Sequence, residues 1–182
     1  QIDDPWLIEI LSDPTLDQAA RKTAGSAHVE MLNYALRGMP EDKIRLHICY
    51  GLNHGPRMND LPMSDVVDYM LAVKAGAYSF EVANPRHYHE WHLWEHVKLP
   101  AGKILIPGLI GHATNYVEHP EMIADFIVNY AKLVGREHVI VGTDCGFSSR
   151  ASFAPEVYPA VAWAKLKALS EGAALATKRL WN

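Results

Sequence analysis

The sequence predicts an α/β protein built of parallel strands, arranged as part of a (β/α)8 barrel. Three observations carry this. Strand-like and helix-like stretches alternate five times, at spacings of roughly 25 to 45 residues, as in right-handed parallel units. The strand-like stretches are short and rich in β-branched or aromatic residues, as buried parallel strands are. The chemically unusual residues fall at strand ends: Asp3, His47, Cys49, Glu81, His112, Asp144 and Cys145. A barrel carries its chemistry on that face. An open doubly wound sheet does so too, but no G-x-G-x-x-G or phosphate loop is present. Five units are too few to close a barrel, so the expectation is an arc with three units lying upstream.

The elements follow in order. Gln1-Ile2-Asp3-Asp4-Pro5 reads as a strand entered halfway, without an initial Met, as expected of a C-terminal piece of something longer. After Asp13-Pro14 a helix is predicted over about 16–36, capped by Asp17 or Thr15 and ended by Gly38 and Pro40. A strand spans about Ile44 to Tyr50, followed by a turn-rich loop. Ser64 is the expected cap of a helix over about 65–74, with Val66, Val67, Met70, Leu71 and Val73 on its apolar face. The strand Ala77 to Val82 comes next, then a short helix from about His89 to His96. Lys103 to Ile110 is a strand and about 120–133 a helix. The last strand is expected at His138 to Val141. Two helical segments, about 155–170 and 173–181, close the chain.

Nothing in this order divides the chain, so residues 1–182 form one expected domain. A net charge of -4 argues against a nucleic-acid or membrane-surface partner. No apolar run approaches the roughly 18 residues of a membrane span, and no signal peptide is visible. A cytoplasmic setting is the expectation. There, two cysteines far apart in sequence point to metal binding or catalysis rather than to a disulfide.

The sharpest local feature is His47-Ile48-Cys49. Residues i and i+2 of a strand face the same way, so an imidazole and a thiol share one space, which is half of a zinc site. Cys145 lies at another strand end, directly after Val139-Ile140-Val141 and Gly142-Thr143-Asp144. The expectation is that both cysteines meet at one metal. The plainer readings stand beside it. A cysteine is often only a small buried hydrophobe, and Glu81 could pair with Arg86. His87, His89, His92 and His96 suit a solvated helix face, with His87 the one candidate for lining a pocket. Trp91 and Trp94 suit packing.

These motifs resemble the catalytic barrel of the cobalamin-independent methionine synthase family. Gln1-Ile2-Asp3-Asp4-Pro5 is similar to its Q-I-D-E-P, His47 to Tyr50 to its H-x-C-Y, and Asp144-Cys145-Gly146 to its D-C-G. Glu81 closes a strand of the V-I-T-I-E type. Asn84 to His87 and Thr114 to Glu121 resemble the short, single-barrel relatives, a group that includes epoxyalkane:coenzyme M transferases. The resemblance implies that the chain covers strands 4 to 8 of the barrel. It implies zinc (Zn2+) held by His47, Cys49, Glu81 and Cys145, and substrate binding by Asp3, with Asp4 beside it where the family has glutamate. It implies His112 as proton donor, although Ile110-Gly111-His112-Ala113 stands where the family has D-I-H.

The expected activity is zinc-dependent transfer of a methyl (alkyl) group from a small-molecule donor to a thiol, homocysteine becoming methionine, with the metal-bound thiolate as nucleophile. A free thiol has a pKa of roughly 8.5 and is mostly protonated at neutral pH, whereas a coordinated one is deprotonated. Alkylation of coenzyme M is the alternative. An acid thiol would want a cation where an amino acid wants Asp3, and the loop cations are Arg57, Arg86 and Arg150. A metal-bound hydrolase and a binding module with structural zinc are the other classes. The first would need more His and Asp at strand ends; the second would suit a closed set of four ligands.

Overall fold

The computed structural model describes residues 1–51, 58–147 and 157–182. Arg57, Arg150 and the start of the expected helix at Pro155 lie outside the described residues. Five strands form one sheet: β1 (Ile2–Asp4), β2 (Arg45–Ile48), β3 (Ala77–Glu81), β4 (Ile104–Ile110) and β5 (Gly142–Thr143). Their spatial order is β1-β2-β3-β4-β5, and every neighbouring pair is parallel. The order never reverses, so there is no switch point of the kind a doubly wound sheet has. Successive parallel neighbours joined by crossovers are what a partial (β/α)8 barrel contains.

The crossover helices are α1 (Trp6–Ser12) and α2 (Gln18–Ala35) after β1, α3 (Val67–Ala72) after β2 and α4 (Pro120–Val134) after β4, and a further helix, α5 (Pro159–Trp181), follows β5. Strand β3 is followed instead by a 3-10 helix, Tyr88–Glu95. Asp17 caps α2 through its side chain, accepting from the Ala20 amide at 2.8 Å. Ser64 does not cap α3. It sits inside a 3-10 turn, Met63–Asp65, and α3 is shorter than its apolar pattern suggests. Helix α1 has only seven residues, too few to print a helical period on the sequence. The final strand begins later than expected, because the 3-10 turn Arg136–His138 takes up the approach to it. Val139 makes only a single bridge to Leu105. The closing helix is continuous through Gly172. A Cβ there would lie 2.6 Å from Ile123 Cβ, so this glycine marks close approach of α5 to α4 and not a break.

Alternation along the strands divides the sheet into two faces. Leu46, Ile48, Tyr78, Phe80 and Leu105 face the helices and are essentially buried, forming one core with Leu7, Met70, Ile123 and Tyr130. Each such side chain contributes on the order of 1.5–3 kcal/mol by leaving water. The opposite face carries Asp3, His47, Cys49 and Ser79, which line a cavity of about 700 Å³ together with Cys145. No helix among the described residues is long and apolar enough to cross a membrane.

Candidate metal centre

The centre is assembled from the ends of β2, β3 and β5. His47 and Cys49 are two residues apart along the β2 direction and project into one space. Register brings the neighbours in: His47 pairs with Asp3 on one side and with Ser79 on the other. Ser79 Oγ lies 3.1 Å from His47 Nδ1. The other ring nitrogen, Nε2, lies 3.4 Å from Cys145 Sγ. Cys49 Sγ is 3.5 Å from the same sulfur, and Glu81 Oε1 is 3.6 Å from it. Cys145 is thus the point on which the other three converge.

These spacings fit a zinc ion. Bonds of about 2.0–2.3 Å at a tetrahedral centre hold their donors about 3.3–3.8 Å apart. The sulfurs are too far apart for a disulfide, whose S–S length is about 2.05 Å, and both cysteines are free. Glu81 is 0 % exposed. A carboxylate is costly to bury beside sulfur and imidazole unless a cation joins them. His112, also buried, presents a ring nitrogen within 4.8 Å of the Glu81 and Cys145 donors, as His47 and Cys49 do around Cys145.

The two sulfurs lie 3.5 Å apart, within hydrogen-bonding distance. The hydrogen bond with Cys145 lowers the pKa of Cys49, as do His47 and the Gly51 amide, which donates to its sulfur at 3.3 Å. The same bond, burial and the Glu81 charge push Cys145 up. Cys49 is the more acidic thiol of the pair, and a readily deprotonated thiol suits capture of a cation.

The remaining predicted residues separate. Asp3 is exposed on the cavity wall, with Gln1 Nε2 donating to its Oδ1 at 2.6 Å. Asp4 is not brought to the centre. Its Oδ1 accepts from the Trp6 and Leu7 amides at 2.9 and 3.3 Å, and His28 Nε2 lies 2.9 Å from its Oδ2. Adjacent strand residues face opposite ways, so Asp4 stabilises the start of α1 while Asp3 faces the cavity. His87 is buried away from the cavity, with Glu90 2.8 Å and Asp60 3.2 Å from its ring nitrogens and the Tyr50 ring 4.5 Å from its own. Arg86 approaches Asp60 at 3.7 Å, while Glu81 accepts from the Tyr50 amide at 3.2 Å. Trp94 packs in the core, as expected.

Residues 1–167 match the family model described as "Cobalamin-independent synthase, Catalytic domain". The chain belongs to this cobalamin-independent synthase family. It is similar in fold to the structure of a B12-independent methionine synthase from Shewanella sp. W3-18-1 in complex with selenomethionine, with a TM-score of 0.72 and 22% identity. That match covers 98% of this chain and 48% of the other, so the chain spans about half the length of that protein. No curated protein matches the chain.

Within this synthase domain, sequence reasoning passed over several residues the structure brings to the site. Ser79 and Arg45 share the inward parity of Glu81 and His47, and both line the cavity. That parity was a readable signal. Glu118 lies within the Thr114 to Glu121 motif without its role being evident there, and Lys165 left no signal. Lys165 Nζ donates to both Glu118 oxygens at 2.9 Å and to Thr114 Oγ1 at 3.1 Å, and Glu118 Oε1 accepts from the Gly111 amide at 2.8 Å. This buried pair holds the loop that carries His112.

Proposed function

We propose that the chain is the C-terminal portion of a barrel, strands 4 to 8, whose site transfers a methyl group to the thiol of homocysteine, giving methionine. The observation that carries this is the convergence of His47 Nε2, Cys49 Sγ and Glu81 Oε1 on Cys145 Sγ at 3.4–3.6 Å. The donor set suits zinc and is richer in sulfur than sites built to acidify water. When bound by His47, Cys49, Glu81 and Cys145, zinc would supply a Lewis-acid centre at which a thiol is held deprotonated at neutral pH. Ser79 Oγ lies 3.1 Å from His47 Nδ1, and a His47 protonated on that nitrogen would present Nε2 to the metal. Asp3, oriented by Gln1, receives the ammonium group of the amino-acid acceptor. The acceptor sulfur takes the methyl group and the donor leaves with the bonding pair. His112 gives that leaving group a proton from a ring nitrogen. A reducing compartment such as the cytoplasm suits two free thiols 3.5 Å apart.

The test uses the full-length protein. Elemental analysis is expected to find one zinc per chain, lost on Cys145→Ser. X-ray absorption of the zinc protein is expected to gain a sulfur neighbour on addition of homocysteine and not of coenzyme M. Zinc kept at full occupancy by Cys145→Ser would remove the ligand set. No added sulfur from either thiol would remove thiol activation, and a response to coenzyme M alone would replace the acceptor.

A further inference from the structure

Asp144 is 1 % exposed and precedes Cys145, and its side chain is engaged by backbone amides of another strand end. Its Oδ1 accepts from the Val82 amide at 2.9 Å and from the Ala83 amide at 3.0 Å. Those are the two amides directly after Glu81. The carboxylate therefore links the end of β5 to the end of β3, although β4 lies between them in the sheet. It can cross β4 at one place only because Gly108 stands there. Gly108 is the register partner of Glu81 on one side and of Gly142 on the other. A Cβ on Gly108 would lie 2.5 Å from Asp144 Oδ1 and 2.6 Å from the Asp144 backbone nitrogen and Cα. The Asp144 amide completes the arrangement by donating to Ile110 O at 3.0 Å.

We infer that Asp144, seated across Gly108, is a positioning residue that sets the spacing of Glu81 and Cys145 and so the affinity of the site for zinc. The inference rests on the zinc reading above. The physical basis is that a carboxylate accepting two backbone amides makes short, charge-assisted bonds, and that each bonded group is one or two residues from a candidate ligand. The Glu81 to Cys145 separation, 3.6 Å, is thereby held by a strut that touches neither donor atom. Other families hold their metal ligands by hydrogen-bonded outer partners whose loss lowers metal affinity roughly 10–100-fold. Here the outer partner acts on the backbone instead of on the ligand side chain, and a glycine in a third strand makes room for it.

The experiment measures zinc affinity of the full-length protein by competition with a chromophoric chelator, and the visible spectrum of the cobalt-loaded form. Asp144→Ala is expected to weaken zinc roughly 10–100-fold and to shift the cobalt bands. Asp144→Asn keeps an oxygen for both amides and is expected to stay within a fewfold of the parent. Gly108→Ala, which removes no polar group, is expected to reproduce the Asp144→Ala spectrum. Combining Asp144→Ala with Glu81→Ala is expected to cost less than the sum of the two, because the strut then has one ligand fewer to place. Thermal unfolding of the metal-free proteins separates lost folding from lost metal affinity. Unchanged zinc affinity in a folded Asp144→Ala protein overturns the inference and leaves the zinc reading standing. A parent protein that binds no zinc overturns both.

Discussion

Asp3 and Asp4 are identical side chains one position apart, and the fold gives them opposite work. Asp3 is exposed on the cavity wall, whereas Asp4 is buried against the first amides of α1 and against His28. Their replacement by alanine should therefore separate cleanly. Asp4→Ala removes a helix-start acceptor and leaves His28 without its carboxylate. A loss of about 1–3 kcal/mol of stability is expected, read by denaturant unfolding, with the KM for the thiol unchanged. Asp3→Ala should leave stability within about 0.5 kcal/mol and raise the KM for homocysteine about tenfold or more, the worth of one charged hydrogen bond. The reverse pattern would exchange the roles given to the two residues.

Between elements, the buried Lys165–Glu118 pair ties α5 to the loop between β4 and α4. Lys165 is 0 % exposed, and its ammonium is neutralised at two contacts of 2.9 Å. Such a pair adds little net stability over an apolar substitute, but breaking one side leaves a buried charge alone. Lys165→Met is expected to cost about 3–5 kcal/mol. Adding Glu118→Gln to it should recover part of that loss in stability. It should not restore turnover, because Gly111 and the neighbouring His112 have lost their charged anchor. Recovery of turnover together with stability would mean that the loop needs no anchor. Helices α4 and α5 themselves meet at Gly172 against Ile123, where they approach closely.

Among the described residues the sheet has β1 and β5 as its edges, each with a single neighbour. A parallel sheet is ordinarily covered and closed, and exposed edges are rare in a barrel. If the chain is strands 4 to 8, both edges pair with further units in the full-length protein. Hydrogen exchange should then find the amides of Ile2–Asp4 and Gly142–Thr143 as slow as those of central β3. Rapid exchange at both edges would argue that the barrel does not close on them.

Much of this molecule is written in short-range pattern. The strand and helix alternation is local, and so is the two-residue spacing that puts His47 beside Cys49. The motif order from Asp3 to Cys145 is linear, which is why family membership was legible before any coordinates. Local pattern could also say that Asp3 and Asp4 face opposite ways. It could not say which of them faces the cavity, because that depends on the register of β1 against β2, set by residues more than forty positions away. The same holds for the approach of Glu81 to Cys145, for Asp144 reaching Val82 across Gly108, and for Lys165 reaching Glu118. Each joins residues 47 to 64 positions apart. The period of a strand carries no information about which distant strand lies beside it. Only packing of the helices on the outer face, which decides how neighbouring strands slide and tilt, brings those groups within bonding distance.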